Sequence, residues 1–131
     1  MRVSCESNDA SRLAAERFQG GFTPASEFDL VAGNEYVVYG IMLSGSLLSY
    51  LIIGEGKFPH WYPAEVFSVT RSELPPKWHF RVFSKEQGFV VNAIWSYEEM
   101  INDEEHFDAL SDLERGALDI FVRRMAEMDD A

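Results

Sequence analysis

Leu30-Val31-Ala32-Gly33-Asn34-Glu35-Tyr36-Val37-Val38-Tyr39-Gly40-Ile41-Met42-Leu43 runs through Ser44-Gly45-Ser46 into Leu47-Leu48-Ser49-Tyr50-Leu51-Ile52-Ile53. Gly54-Glu55-Gly56 then leads on towards Trp61-Tyr62-Pro63-Ala64-Glu65-Val66-Phe67-Ser68-Val69. Three blocks rich in β-branched and aromatic residues are separated by two glycine-bearing turns. Such residues fit a pleated, half-buried surface, and glycine supplies the positive φ of tight hairpins, so residues 30–69 read as a β-meander. In residues 36–43, Tyr36, Val38, Gly40 and Met42 share one face, and Val37, Tyr39, Ile41 and Leu43 the other. Both faces are apolar, which predicts a central strand covered on both sides. Pro63 in the third block suits an edge strand or a bulge, because proline donates no ladder hydrogen bond.

The flanks extend this pattern. Residues 2–6 read as a short first strand. Residues 8–19 read as a short helix capped by Asn8 or Asp9, with Leu13, Ala14 and Phe18 on one face and Gly20-Gly21 ending it; the alternative is an ordered loop. Phe28-Asp29-Leu30 reads as a strand before a turn at Gly33-Asn34. Leu74-Pro75-Pro76 makes residues 71–77 a connector. Residues 78–83 alternate, with Trp78, Phe80 and Val82 opposite His79, Arg81 and Phe83; a polar loop at 84–88 and a strand at 89–95 complete a second hairpin. Ser96-x-x-Glu99 and Ser111-x-x-Glu114 both match the capping box, predicting helices over 97–102 and 113–128, with another turn or two over 104–110. The expected core joins the meander to the last helix through Tyr36, Val38, Leu51, Ile53, Phe67, Trp78, Ile120 and Phe121.

The fold class is therefore α+β: a bent antiparallel sheet or partly open small barrel with C-terminal helices packed on it. With 131 residues, 47% of them hydrophobic, the chain is expected to form a single domain (1–131), mainly sheet over 1–97 and an acidic helical segment over 98–131. Cys5 is the single cysteine, so no internal disulfide or cysteine-built zinc site is expected, and a reducing cytoplasmic setting fits. The first residues carry no apolar run of signal-peptide length. The uncharged stretch 36–54 alternates like a hairpin and holds Gly40, Ser44, Gly45, Ser46 and Ser49, so no membrane span is expected.

The formal net charge is −11, which repels phosphate backbones and disfavours generic nucleic-acid binding. Residues 98–131 hold twelve acidic and three basic residues, whereas residues 1–97 hold ten and eight. Catalytic motifs are wanting. His60, His79 and His106 lie on different elements without metal-ligand spacing, so no metal site is expected. Ser44-Gly45-Ser46 lacks the nucleophile elbow, and Gly54-Glu55-Gly56-Lys57 lacks the spacing and following helix of a phosphate loop. No catalytic residue and no cofactor is assigned. Two surfaces remain: the carboxylates Glu98, Glu99, Asp103, Glu104, Glu105 and Asp108, and an aromatic groove built from His60, Trp61, Tyr62 and Trp78.

Leu30-x-x-Gly33-x-x-Tyr36-Val37-Val38-Tyr39-Gly40, Trp61-Tyr62-Pro63-x-x-x-Phe67-x-Val69 and Leu74-Pro75-x-x-Trp78-x-Phe80 together resemble a family of short bacterial proteins without established activity. Some of its members are immunity-protein candidates of toxin systems. The resemblance implies a fold and no catalytic residues. Together with the acidic segment it leads to the expectation of an immunity-type protein that neutralises a basic toxin domain. A peptide-binding or scaffolding module using the aromatic residues is the alternative, and a small enzyme comes third.

Overall fold

The computed structural model describes residues 1–83 and 91–129. Strand β1 (Arg2–Cys5) is followed by two 3-10 turns (Ala10–Arg12 and Ala15–Gln19), then β2 (Glu35–Val37), β3 (Gly40–Ser44), β4 (Leu47–Ile53) and β5 (Pro59–Pro63). A 3-10 turn (Ala64–Val66) leads to β6 (Phe67–Arg71), after which come β7 (His79–Val82), β8 (Ala93–Ser96), α1 (Glu98–Asn102), α2 (Glu104–Ser111) and α3 (Arg115–Asp129). The strands form two antiparallel sheets, ordered β2-β1-β6 and β5-β4-β3-β8-β7, which do not close into a barrel. The architecture is α+β, with the helices at the C-terminal end packed on the larger sheet.

The meander is thus shared between two sheets, and the crossings have local causes. The strand expected over 36–43 divides between adjacent residues: the Val38 N–H donates to the Met1 carbonyl, and the Tyr39 N–H to the Leu51 carbonyl, 2.8 Å away. Val38 therefore closes the small sheet and enters its core, while Tyr39 enters the helix-side core. β3 is central, between β4 and β8, as the doubly apolar pattern requires, but β2 is an edge. The third block divides after Pro63, which ends the edge strand β5. Its ring withholds a ladder donor there, and the 3-10 turn then redirects the chain into β6.

Period-two alternation sends side chains to opposite faces of the larger sheet, and each face has its own core. Leu51, Ile94 and Tyr39 pack with Met100, Ile101, Leu110, Ala117 and Phe121 of the helices. Tyr50, Ile52 and Tyr62 pack with Val3, Cys5, Val38, Val66 and Phe67 against the small sheet. The single core expected from the sequence is therefore two: Leu51, Ile53, Ile120 and Phe121 belong to the helix side, Tyr36, Val38 and Phe67 to the other, and Trp78 packs against both. Gly40 carries no side chain for a physical reason. A Cβ there would lie 3.0 Å from the Ser96 hydroxyl and 3.1 Å from the Trp61 indole, both packed over β3.

Several local expectations give way to longer-range partners. The 8–19 segment forms two 3-10 turns, the first capped by Asp9, and it is Arg17 that is buried while Phe18 is exposed. Residues 28–30 form no strand; Asp29 instead holds the loop after β4, accepting from Glu55 N–H at its carbonyl and from Gly56 N–H at its carboxylate. Neither capping box forms. The Ser96 hydroxyl is buried and donates to the Tyr39 carbonyl at 2.7 Å, and the Ser111 hydroxyl donates back to Phe107 within α2. In β7, Phe80 and Val82 face solvent, and Arg81 turns towards the helices. The loop expected at 84–88 and the first part of the strand expected at 89–95 lie outside the described residues. Among the described residues no helix is long and apolar enough to cross a membrane.

Candidate functional site

The acidic stretch wraps the corner where β8 passes into α1 and α2. α1 is a single turn begun by Tyr97 without a side-chain cap; Asp103 ends it and caps α2, accepting from the Glu105 N–H at 3.1 Å. Carboxylates in a helix's first turn are favoured by the unpaired N–H groups there, so Glu98, Glu99, Glu104 and Glu105 each have a local reason for their position.

The six carboxylates are not equivalent. Glu99 is drawn inward and held by a two-pronged ion pair with Arg124 of α3, at 2.7 and 3.0 Å. That bond, more than any other influence, keeps its carboxyl below the usual glutamate range. Glu98 lies 3.5 Å from the same guanidinium and Glu127 3.2 Å, so Arg124 ties α1 to α3. Glu99 is therefore structural. Asp103, Glu104, Glu105 and Asp108 are exposed, and among the described residues the cation near them is Arg81, 4.0 Å from Glu104.

Asp103, Glu104 and Asp108 rim a cavity of about 260 Å³ between the β7–β8 hairpin and the α1–α2 corner. Helical spacing puts Glu104, Phe107 and Asp108 on one side of α2, facing this space. The floor is apolar: Ile94, Met100 and Ile101 are buried, and Phe83, Val91 and Phe107 half-buried. Arg81 lies at the edge, its guanidinium 5.0 Å from the centre of the Phe83 ring and donating to the Ile101 carbonyl at 3.3 Å. Sequence reasoning found the carboxylates but missed this cavity. The available signal was the placement of Arg81 and Phe83 on the same face of the β7 alternation.

Beneath the acidic corner, Tyr97 and His106 are both buried, with Oη and Nε2 2.6 Å apart. Burial lowers the His106 pKa against the opposing charges of Asp103 and Glu99, and burial raises that of Tyr97. The phenol therefore stays protonated and shares one hydrogen bond with the imidazole Nε2, the imidazole tautomer setting which of the two donates. A histidine whose folded pKa lies below its unfolded value contributes fully above the unfolded pKa of about 6.5, and its stabilisation is lost as pH falls through the interval below. Calorimetry should show the melting temperature falling between about pH 7 and pH 5, with a shallower fall in His106→Gln over the same interval.

The four aromatic-groove residues are not gathered into one groove. Trp61 points to the helix side, stacked on Phe107 with ring centres 5.9 Å apart. Tyr62, its neighbour on β5, is buried on the opposite face against Phe28, and burial pushes its pKa up to about 12. His60 is exposed on the Tyr62 side, and Trp78 is half-buried, donating from Nε1 to the Met128 sulfur at 3.1 Å. The glycine-flanked turn 54–57 is also accounted for. Gly54 lies so close to the Asp29 carbonyl and the Tyr62 hydroxyl that a Cβ would sit 2.5 Å from each, and the loop's N–H groups are directed to Asp29. Among the described residues, no group of three or more His, Cys, Asp or Glu side chains is placed to hold a metal ion.

No protein-family model matches the chain, and no curated protein or solved structure is significantly similar to it.

Proposed function

We propose that this protein is an immunity-type binding protein that neutralises a basic bacterial toxin domain in the cytoplasm, using the acidic α1–α2 corner as its docking face. The observation that carries the reading is the exposure of Asp103, Glu104, Glu105 and Asp108 at one corner, where Arg81 is the one cation beside them among the described residues. Asp103, Glu104 and Glu105 are favoured at the start of α2, but Asp108 lies four and three positions beyond Glu104 and Glu105, where like charges repel by a few tenths of a kcal/mol. A lysine- and arginine-rich partner relieves that repulsion, and such complementarity acts chiefly on the rate of association. The resemblance of the meander's sequence to a family of short bacterial proteins without established activity, some of them immunity-protein candidates, supports the same reading, which needs neither cofactor nor metal. Glu99 is left out of the face because its charge is already spent on Arg124.

The test is association kinetics with a basic toxin domain, sought first among the products of the neighbouring genes. Reversing Asp103, Glu104, Glu105 and Asp108 to lysine should slow association by about tenfold or more, and binding by the unaltered protein should slow as salt is raised. A rate indifferent to both changes would reduce the corner to an ordinary solvated surface.

A further inference from the structure

The cavity at the acidic corner combines two features that no single simple ligand class satisfies. Its floor of Ile94, Met100, Ile101 and Phe107 is apolar, while its rim carries three carboxylates. A wholly apolar occupant would strip water from those carboxylates without replacing it, and a bare cation would leave the floor uncovered. A long apolar stem ending in a cation meets both requirements.

We propose that this cavity seats one arginine side chain of the protein partner, with its methylenes on the apolar floor and its guanidinium among Asp103, Glu104 and Asp108; the assignment rests on the corner being a partner-binding face. Arginine fits better than lysine, because a planar guanidinium both stacks on an aromatic ring and bonds carboxylates in a two-pronged manner. Phe107 supplies such a ring at the cavity wall. The chain's own Arg81 displays the same chemistry at the edge, lying over Phe83 and donating to the Ile101 carbonyl. Among the described residues one guanidinium, that of Arg81, faces three rim carboxylates, so the rim has the charge to take a second. Arginine is also among the residues most often found to anchor an interface.

The experiment uses small probes in place of the toxin. The protein, with labelled isoleucine and methionine methyl groups, is titrated with butylguanidinium, guanidinium, butylammonium and butanol and followed by NMR. Butylguanidinium should shift the Ile94, Met100 and Ile101 methyl signals with a Kd of order 1 mM, as suits so small a ligand. Butylammonium should bind several-fold more weakly, and guanidinium and butanol more weakly still. Asp103→Asn with Asp108→Asn should weaken butylguanidinium at least fivefold, and asparagine keeps the α2 cap that Asp103 provides. Shifts spread over the whole acidic surface, equal binding of guanidinium or butanol, parity of butylammonium, or indifference to the asparagine pair would each overturn the assignment. None of these outcomes touches the salt dependence of toxin association, so failure of the arginine seat and failure of the immunity reading are distinguishable.

Discussion

Phe121→Ala should destabilise the protein by about 3–5 kcal/mol, the range for removing a fully buried aromatic ring. Phe121 is 1% exposed, the largest of the fully enclosed side chains. Its ring meets Tyr39 edge-on at 5.3 Å and Tyr97 at 6.2 Å, so it joins α3 to the sheet crossing and to the start of α1 in one contact set. The cost combines lost burial with the cavity left among rigid neighbours that cannot close around it. Against a total stability of roughly 5–15 kcal/mol for a domain, such a loss is easily seen in a chemical denaturation midpoint. An unchanged midpoint would mean that α3 does not share the core of the sheet.

The position of Phe121 was legible in the sequence because helical spacing with Leu113, Ala117, Ile120 and Met125 marks an apolar stripe. The strands of the larger sheet were legible for a similar reason, since alternation and turn glycines are local signals. Periodicity does not say which distant carbonyl will take an N–H. The break between Val38 and Tyr39 depends on Met1 and Leu51, and nothing within residues 36–43 records it. The capping boxes failed in the same way. Ser96 matches the pattern perfectly, yet a buried carbonyl at Tyr39 claims its hydroxyl, and Arg124, 25 residues away, claims the Glu99 carboxylate.

The acidic corner shows both sides of this limit. Six carboxylates within the eleven positions from Glu98 to Asp108 are visible as composition. That Glu99 is turned to structural use requires Arg124 of α3, and that Asp103, Glu104 and Asp108 rim an apolar hollow requires the packing of α1 against β7 and β8. The aromatic residues invited a groove because they are close in sequence. Strand alternation separates Trp61 from Tyr62 by the thickness of the sheet, and the two cores absorb them.

Arg17→Met should cost about as much as the loss of Phe121, roughly 3–5 kcal/mol, since it strands the partner of a buried ion pair. The Arg17 side chain is 8% exposed and that of Glu65 22%. The guanidinium grips the carboxylate at 2.8 and 3.0 Å, and donates as well to the Ser49 hydroxyl at 3.1 Å and the Leu48 carbonyl. Glu65 also accepts from the Ala14 N–H at 3.2 Å, so one carboxylate fastens the N-terminal 3-10 turns to the turn after β5, 48 residues away in the chain. Burial pushes the Glu65 pKa up, but the bonds from Arg17 and Ala14 outweigh it and leave the pKa below its ordinary value. A carboxyl whose folded pKa is depressed contributes above its unfolded pKa, and the contribution is lost as pH falls through the folded one. The deficit of Arg17→Met should accordingly be full at neutral pH and shrink below about pH 4.5, where Glu65 takes up a proton. Adding Glu65→Leu should recover part of the loss, because it removes the stranded charge along with its partner. Urea denaturation of the two single variants and the double variant at pH 7 and pH 4 reads all of this at once. A double variant as unstable as the two single losses added together would show that each residue acts through packing alone, without the ion pair.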